Sequence, residues 1–371
     1  MKYLIVTFTL LLCMGLSAQT QGLSNKLQVE LDKIQNRHTA PGVTFSVVLP
    51  NGEVIALASG KADLERNIAM TPTHKMLGGS TGKVFYSVVI MQLVEEGILD
   101  LDKPIQSYLG HLDWFERLPN AEGLTLRNLM RHETGMPRYV FKESFQKDVL
   151  IDADKDWKPA ELLAYVLDDE PLFEVESSFA YSDTNYIIAC LAVEEVTGTS
   201  LYDHVMERVV KKAGLKQVEP QNKRKYTGMA QGYNGSDPFF SGNALENGKS
   251  RYNWKFEWAG GGLLITSKDL AVLAKKIYEG EMFSKDLLDE YFNGRDAGQM
   301  GGTWGLGVHI RDGEKGKIYG HSGFMPGYVT NMMYFEDKGF SICYQVNGSA
   351  PEHRGILRDL PSLAKIVRES L

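Results

Sequence analysis

The sequence of 371 residues is 43% hydrophobic and 23% charged, and its formal net charge is −7. This composition is typical of a folded globular protein with a large core and room for two lobes, and it excludes a disordered chain. Long runs of like charge are absent from the sequence, so neither nucleic-acid binding nor a polybasic membrane contact is indicated. The expected partner is a small molecule.

The first 18 residues differ in composition from the rest. Lys2 is followed by a continuous apolar stretch, and small residues up to Ala18 precede a polar segment. This order predicts a cleaved signal peptide, because the apolar stretch is too short for a membrane span. Cys13 raises the alternative of a lipid anchor. Leu12 stands where a small residue is expected before such a cysteine, so export to the periplasm or the medium is favoured.

Strands are predicted at both ends of the mature chain and helices in its middle. A helical stripe of leucines ends before Pro41, and two β-rich segments flank a turn at 50–52. Residues 80–214 are predicted to be mostly helical, with serine or proline at helix starts and glycine at helix ends. β-rich runs joined by a tight turn return at 315–347, before a last helix at about 355–371. Neighbouring strands joined by tight turns indicate an antiparallel sheet.

The segment GGSTGKVFYSVV, at 78–89, fits two catalytic signatures. Its glycines form G-x-S-x-G, the nucleophile elbow of α/β-hydrolases, and its serine forms S-x-x-K with Ser80 and Lys83. The elbow requires a buried strand of a parallel sheet directly before it, whereas the preceding residues here are polar and follow Pro72. A spacing of three on a helix places the serine and lysine on one face, about 5–6 Å apart at Cβ. We therefore favour S-x-x-K, with Ser80 in the first turn of a helix.

Two further segments accompany this motif. FAYSDTNY contains Tyr181 and Asp183 before a predicted helix, and YGHSGFMPGY contains His321 and Gly323 at the end of a predicted strand. In order and spacing the three segments resemble the S-x-x-K, Y-x-N and K-T-G (or H-x-G) motifs of the serine β-lactamase and penicillin-binding-protein superfamily. The sequence is most similar to the branch of class C β-lactamases, D,D-carboxypeptidases and β-lactamase-like esterases, and the resemblance covers nearly the whole mature chain.

The resemblance implies an α+β fold of the β-lactamase/transpeptidase type. An antiparallel sheet carries the N- and C-terminal helices, and a mostly helical lobe is inserted between the first and the later strands, with the active site in the cleft between them. After a signal peptide at 1–18, we expect one serine hydrolase domain at 19–371. Its sheet lobe is expected at about 19–75 and 258–371, and its helical lobe at about 76–257.

The resemblance also implies how the site acts. Ser80 attacks an acyl carbonyl and forms an acyl-enzyme, while Lys83 or Tyr181 takes its proton, and the sequence leaves open which of the two is the base. The amide groups of Ser80 and Phe324 form the oxyanion hole. The residues expected to bind substrate are Asp183, His321, Gly323 and Phe324. No cofactor is implied, and the spacing of the histidines does not predict a metal site.

Two positions depart from the family pattern. Asp183 stands where an amide is usual, and an ionised carboxylate cannot donate a hydrogen bond to a substrate carbonyl. It also stabilises the charged form of a nearby Lys83, which opposes a base role for Lys83 unless Tyr181 is the base. Asn185 is an alternative to Asp183, although the motif register favours Asp183. His321 stands where β-lactamases have a lysine, and with an ordinary pKa near 6.5 it predicts better use of carboxylate substrates as the pH falls through about 6.5.

Other residues receive structural or covering roles. His132 is expected to make a structural hydrogen bond, and Cys190 and Cys343 lie in apolar runs typical of buried free thiols. The polar segment 215–258 is long enough to cover a site, and its aromatic residues favour a pocket lining. These aromatic residues are Tyr226, Tyr233, Phe239, Phe240, Tyr252, Trp254, Phe256 and Trp258.

The leading functional hypothesis is an exported serine hydrolase that acts on an ester or a small peptide-like amide. A true β-lactamase or D-alanyl-D-alanine carboxypeptidase is the first alternative. A catalytically silent penicillin-binding-like protein is the second, and the presence of Ser80, Lys83 and Tyr181 weighs against it.

Overall fold

The computed structural model describes the backbone of residues 2–235 and 240–371, and the side chains of these residues from 18 onward. The strands are β1 Gly42–Val48, β2 Val54–Asp63, β3 Ile68–Ala69, β4 Met76–Leu77, β5 Val218–Pro220, β6 Leu245–Glu246, β7 Lys249–Ser250, β8 Leu263–Ile265, β9 Arg295–Asp296, β10 Thr303–Trp304, β11 His309–Gly313, β12 Gly316–Met325, β13 Tyr328–Phe335 and β14 Phe340–Val346.

The α-helices are α1 Lys2–Arg37, α2 Gly82–Glu95, α3 Gln106–Leu109, α4 Leu126–Met130, α5 Glu143–Ile151, α6 Pro159–Leu163, α7 Asp183–Thr197, α8 Leu201–His204, α9 Ser267–Tyr278, α10 Leu288–Phe292, α11 Ile356–Asp359 and α12 Leu363–Ser370. A π-helical segment, Val205–Lys211, continues α8. Short 3₁₀ segments lie at Gly79–Thr81, Phe115–Arg117, Ala121–Gly123, Tyr139–Phe141, Trp254–Gly260, Lys285–Leu287, Gly298–Met300, Pro351–His353 and Leu360–Ser362.

The largest sheet of the described residues is antiparallel and has the order β3-β2-β1-β14-β13-β12-β11-β10-β9. The predicted turn at 50–52 joins β1 to β2, and a turn at 337–339 joins β13 to β14. β1 pairs with β14, with Val43 opposite Val346, so the first and last strands of the chain meet in the middle of the sheet. The predicted α+β fold with an antiparallel sheet is confirmed, and the described strands do not form the parallel sheet that a nucleophile elbow needs.

Helices cover both faces of the sheet. On one face, the predicted leucine stripe of α1 (Leu27, Leu31 and Ile34) packs in a cluster with Leu363 and Val367 of α12. On the other face, α9 packs against β1, β13 and β14. Helices α2 to α8 lie between β4 and β8 in the chain, and among them α2 is buried along nearly its whole length. A helix that is apolar on all sides is stable only in an interior. α2 accordingly packs against α7, the π-helical segment Val205–Lys211 and the 3₁₀ segment Trp254–Gly260.

Several local predictions are confirmed and others are refined. Cys190 and Cys343 are buried free thiols, and Gly198 ends α7 in the left-handed conformation with φ 63°. The predicted last helix is divided into α11, a 3₁₀ turn and α12 because Pro361 lacks the amide hydrogen that a continuous helix needs. Within the described part of the chain, no helix is both long and apolar enough to span a bilayer.

Candidate active site

Ser80 lies in the 3₁₀ turn Gly79–Thr81, one turn earlier than the α-helix that was predicted to begin with it. Close backbone contacts hold this turn against the end of β12. A Cβ atom on Gly79, whose φ is +53°, would lie 2.6 Å from the carbonyl oxygen and 2.7 Å from the amide nitrogen of Phe324. A Cβ atom on Gly323 would lie 1.9 Å from the carbonyl oxygen of Gly78. Glycine at both positions therefore lets the Ser80 turn and the Phe324 backbone meet, as an oxyanion hole formed by both requires.

Lys83 is the central charge of the site. Its side chain is fully buried, and its Nζ donates to Ser80 Oγ at 3.2 Å, to Asp183 Oδ1 at 2.7 Å and to the carbonyl oxygen of Gly260. Burial alone would lower the pKa of Lys83, but the Asp183 carboxylate and other acidic neighbours raise it to about 12. Lys83 is therefore an ammonium ion at neutral pH.

Asp183 is the first residue of α7, and its carboxylate forms ion pairs with two cations. Its Oδ1 accepts from Lys83, while its Oδ2 accepts from Arg138 Nε at 2.9 Å and Nη2 at 2.6 Å. Burial alone would raise the pKa of Asp183, but Arg138 and Lys83 together hold it well below its usual range. The sequence analysis missed Arg138. Its sequence signal is weak, a position directly after Pro137, and only the tertiary contact identifies Asp183 as its partner.

Tyr181 packs against the same charges. Its ring centre lies 5.2 Å from Lys83 Nζ and 5.3 Å from Arg138 Cζ, and its hydroxyl oxygen is buried. Burial raises the pKa of Tyr181 above its usual value, although Lys83 and the Ser80 side chain act in the opposite direction. In the unliganded site at neutral pH, Tyr181 is thus a neutral phenol and Lys83 is protonated.

His132 and Asn185 are buried residues that pack and hydrogen-bond next to the reacting groups. His132 Nδ1 accepts from the Ser182 amide at 3.2 Å, and Asn185 Nδ2 lies at the same distance from it. Asn185 Oδ1 accepts from Thr134 Oγ1 at 2.7 Å. Both side chains are fully buried, and the His132 ring packs against Tyr181 with centroids 4.2 Å apart. The contacts of His132 match the predicted structural role, and Asn185 does not replace Asp183 beside Lys83.

His321 requires a correction. Its side chain is nearly fully buried against Tyr181 and against Trp304, whose ring centre lies 5.1 Å away. Its Nδ1 lies 2.6 Å from the carbonyl oxygen of Ser322, which fixes Nδ1 as the protonated nitrogen. Burial and the nearby Lys83 lower the pKa of His321 to about 3. The prediction that His321 gains a proton near pH 6.5 is therefore wrong, because it assumed the solvation of an exposed imidazole.

A cavity of about 420 Å³ opens at Ser80. Phe240, Trp254 and Phe256 of the predicted cover segment line it, together with Phe145 and Phe324. Tyr252 packs against the rings of Phe240 and Trp254. Tyr233 is not part of this lining, and its hydroxyl donates to Glu65. Phe239 and the side chain of Cys13 lie outside what the structure describes. The aromatic walls fit an apolar group attached to the carbonyl that Ser80 would attack.

Glu257 also lines this cavity, and the sequence analysis missed it because a single glutamate in a polar segment gives no signal. Its Oε2 lies 2.8 Å from the position of a Cβ atom on Gly260, beside the carbonyl group that Lys83 binds. Burial, followed by the neighbouring Asp183 carboxylate, raises the pKa of Glu257 to about 7.

Over the described ranges, no three His, Cys, Asp or Glu side chains are grouped to hold a metal ion.

Comparison with known proteins is consistent with this geometry. The chain matches the family model described as Beta-lactamase over residues 29–363. It is 23% identical over 348 residues to penicillin-binding protein 4* of Bacillus subtilis, a match that covers 88% of this chain and 72% of that protein. It is 23% identical over 270 residues to the teichoic acid D-alanine hydrolase of Staphylococcus aureus, covering 71% of this chain and 61% of that protein. The chain thus spans less than two thirds of the length of the staphylococcal relative, and 65% of that of another Bacillus relative.

The fold has close counterparts among solved structures. The D-amino acid amidase from Ochrobactrum anthropi SV3, in complex with D-phenylalanine, superposes with a TM-score of 0.80 at 23% identity. That match covers 94% of this chain and all of the amidase. Because the family model spans most of the sequence, the chain belongs to the beta-lactamase family.

Proposed function

We propose that this protein is an exported hydrolase that cleaves an ester or a small peptide-like amide through an acyl-enzyme on Ser80. The observation that carries this proposal is the 3.2 Å contact between Lys83 Nζ and Ser80 Oγ at the mouth of an aromatic cavity. A serine hydroxyl becomes a nucleophile when a neighbouring base takes its proton and a nearby cation stabilises the charge that develops.

Tyr181 is the proposed base. Lys83 is held in its charged form by Asp183, so it has no free electron pair for the Ser80 proton. An ionised Tyr181 next to the Lys83 and Arg138 cations takes the proton from Ser80 Oγ as Oγ bonds to the acyl carbon. Tyr181 then gives this proton to the leaving alkoxide or amine as the bond to the acyl carbon breaks. In deacylation, Tyr181 takes a proton from water as the water oxygen bonds to the acyl carbon. It then returns this proton to Ser80 Oγ as the bond between Oγ and the acyl carbon breaks, and the acid product is released.

The remaining proposed roles concern binding. The amide groups of Ser80 and Phe324 are the proposed donors to the oxyanion, with Gly323 permitting the close approach. Asp183 and His321 border the reacting groups, and the aromatic walls receive the acyl or leaving group. The names of two similar proteins, a teichoic acid D-alanine hydrolase and a D-amino acid amidase, support small ester or amide substrates.

A β-lactamase or D,D-carboxypeptidase is the alternative function. Substrates of that kind carry a carboxylate, and the neutral His321 lacks the charge that a lysine would offer to it. Asp183, charged and already paired with two cations, cannot donate to a substrate amide. These features favour the esterase or small-amidase assignment.

Parallel rate measurements test the assignment. p-Nitrophenyl acetate, nitrocefin and a D-Ala-D-Ala peptide are compared at equal enzyme concentration, together with labelling by a fluorophosphonate probe. We expect labelling at Ser80 and the highest kcat/KM on the ester. Fast nitrocefin turnover would favour the alternative, and absence of both labelling and turnover would favour the silent, binding-only protein.

Export and domain organisation form part of the same proposal. The proposed signal peptide at 1–18 is removed, and the domain at 19–371 acts in the periplasm or the medium. Within it, we propose a sheet lobe at about 19–75 and 258–371 and a helical lobe at about 76–257. N-terminal sequencing of the protein from cell-free medium or periplasm is expected to begin at residue 19, and an uncleaved or lipid-modified N-terminus would contradict this part.

A further inference from the structure

Glu257 differs from the other charged groups around Ser80 because it has no hydrogen-bond or ion-pair partner among the described residues. Among the residues that the structure describes, Lys83, Arg138 and Asp183 form a closed set of ion pairs. The Glu257 carboxylate takes part in none of these contacts, and it forms neither an ion pair nor a hydrogen bond with any other described residue. It is nevertheless largely withdrawn from solvent and lines the cavity that opens at Ser80. A carboxylate in such a place is costly unless a ligand compensates it.

We propose that Glu257 binds a substrate ammonium group, so that the hydrolase selects esters or amides of acyl groups that carry a free amine. The inference rests on the proposed function, since it concerns the substrate that acylates Ser80. The surrounding aromatic side chains fit it in two ways. Their faces attract a cation, and their apolar area receives the side chain of the same acyl group.

The position of Glu257 defines where the amine lies. Its Oε2 is next to Gly260, whose carbonyl group binds Lys83, and Lys83 contacts Ser80. The carboxylate is thus on the same side of the cavity as the reacting groups. An amine close to the scissile carbonyl, as in an amino-acid ester or amide, matches this arrangement better than an amine at the far end of a long chain.

The direct contacts around Glu257 support a cation rather than an anion as its ligand. Arg138 is the half-exposed cation of the cavity, and both its Nε and Nη2 already donate to Asp183. Lys83 and Arg138 share the single Asp183 carboxylate, so an ionised Glu257 balances the second positive charge through space, but no described cation contacts its oxygens directly. The groups whose charges act on Glu257 or are influenced by it are Lys83 and Tyr86 of α2, Arg138 and Tyr139 before α5, Asp183 of α7 and Tyr202 of α8.

The pH dependence follows from these groups. Tyr86, Tyr139 and Tyr202 have pKa values raised well above the usual value by burial, so they stay neutral. Lys83, Arg138 and Asp183 keep their charges at neutral pH. Glu257, with a pKa of about 7, is the group that changes charge there. Selectivity for the amine should therefore increase from pH 6 to pH 8, as long as the amine itself remains protonated.

A matched pair of substrates tests the proposal. Each enantiomer of phenylalanine p-nitroanilide is compared with 3-phenylpropionyl p-nitroanilide, which lacks only the amine, in the native protein, in Glu257→Gln and in Glu257→Asp. We expect the native kcat/KM to favour the amine for at least one enantiomer by about tenfold or more. Glu257→Gln should remove this preference and Glu257→Asp should retain part of it. Glu246→Gln, an exposed glutamate of the same segment, serves as the control and should keep the native preference.

A binding measurement separates this inference from the proposed function. Isothermal titration of the Ser80→Ala protein, with and without Glu257→Gln, compares phenylalaninamide with 3-phenylpropanamide. Tighter binding of the amine that Glu257→Gln abolishes supports the inference, even if turnover is absent and the proposed function fails. Equal binding of both compounds, or an equal loss for both in a folded Glu257→Gln protein, overturns the inference and leaves the assignment of Ser80 intact.

Discussion

Asp183 accepts a 2.7 Å hydrogen bond from Lys83 Nζ and thereby fixes the charge of the lysine that contacts Ser80. Asp183 raises the pKa of both Lys83 and Tyr181. Since a base must form from groups that are protonated at neutral pH, we expect the rate of acylation to rise with pH above neutrality.

Replacing Asp183 with Asn should move the rising limb of the profile of kcat/KM against pH to lower pH. The physical reason is that the neutral amide no longer raises the pKa of Tyr181, the proposed base, so less alkali is needed to ionise it. A shift of about one pH unit or more is expected. The profile is measured with a neutral ester, and Asp337→Asn, which breaks an ion pair with Arg368, is the control. An unmoved limb in a folded Asp183→Asn protein would contradict the proposed control of charge.

Ser80→Ala and Lys83→Ala should each reduce ester hydrolysis by about 10³-fold or more. The losses are expected to be comparable and non-additive in the double variant, because nucleophile and cation act in the same step. Thermal unfolding of each variant checks the fold, since Lys83 is fully buried beside Asp183. Substantial activity in a folded Ser80→Ala protein would show that the nucleophile lies elsewhere.

Replacing Glu257 with Gln should stabilise the protein at pH 8 but not at pH 4. The folded-state pKa of about 7 exceeds the ordinary value of 4.5, so the native protein loses stability as the pH rises between these two values. The full difference corresponds to about 3–4 kcal/mol, because the two pKa values differ by about 2.5 and each unit is worth about 1.4 kcal/mol. The difference in Tm between variant and native protein is measured from pH 4 to pH 8. A difference that does not change with pH would exclude the raised pKa.

His321 should remain neutral from pH 5 to pH 8. Since its pKa is lowered to about 3, His321 does not change charge in this range. The ratio of kcat/KM for a neutral ester to that for its carboxylate analogue should therefore show no transition caused by His321. In His321→Lys, use of the carboxylate analogue should improve, because a cation then faces the site. An NMR titration of the histidine resonances provides a direct check, and a midpoint near pH 6.5 for His321 would refute the buried, neutral state.

Replacing Gly79 with Ala should impair both folding and activity, whereas Gly97→Ala should be mild. Both glycines have positive φ, +53° and +70°, but an added Cβ meets the Phe324 backbone at Gly79 and open space at Gly97. We expect a loss of about 1–2 kcal/mol at Gly97 from the left-handed conformation alone. A larger loss is expected at Gly79, together with reduced kcat, and both are measured by denaturant unfolding and ester hydrolysis. Equal losses would show that the close approach to Phe324 has no consequence.

The sequence by itself determined the features that depend on local pattern. Turn residues and alternating apolar runs predicted the β1–β2 and β13–β14 hairpins, and the leucine stripe predicted the buried face of α1. The three spaced motifs predicted that Ser80, Tyr181 and His321 share one site, and their rings and side chains do lie together. Such signals are readable because each depends on residues a few positions apart or on a family-specific order.

Only the tertiary structure decided the electrostatics of the site. Arg138 reaches Asp183 from 45 positions away in the chain, and Glu257 approaches the site from a segment without any motif. The pKa of His321 falls, and that of Lys83 rises, for reasons of burial and of charges that other elements supply. Desolvation and Coulomb interactions act through space and depend on what surrounds a group, so sequence neighbours do not reveal their sign.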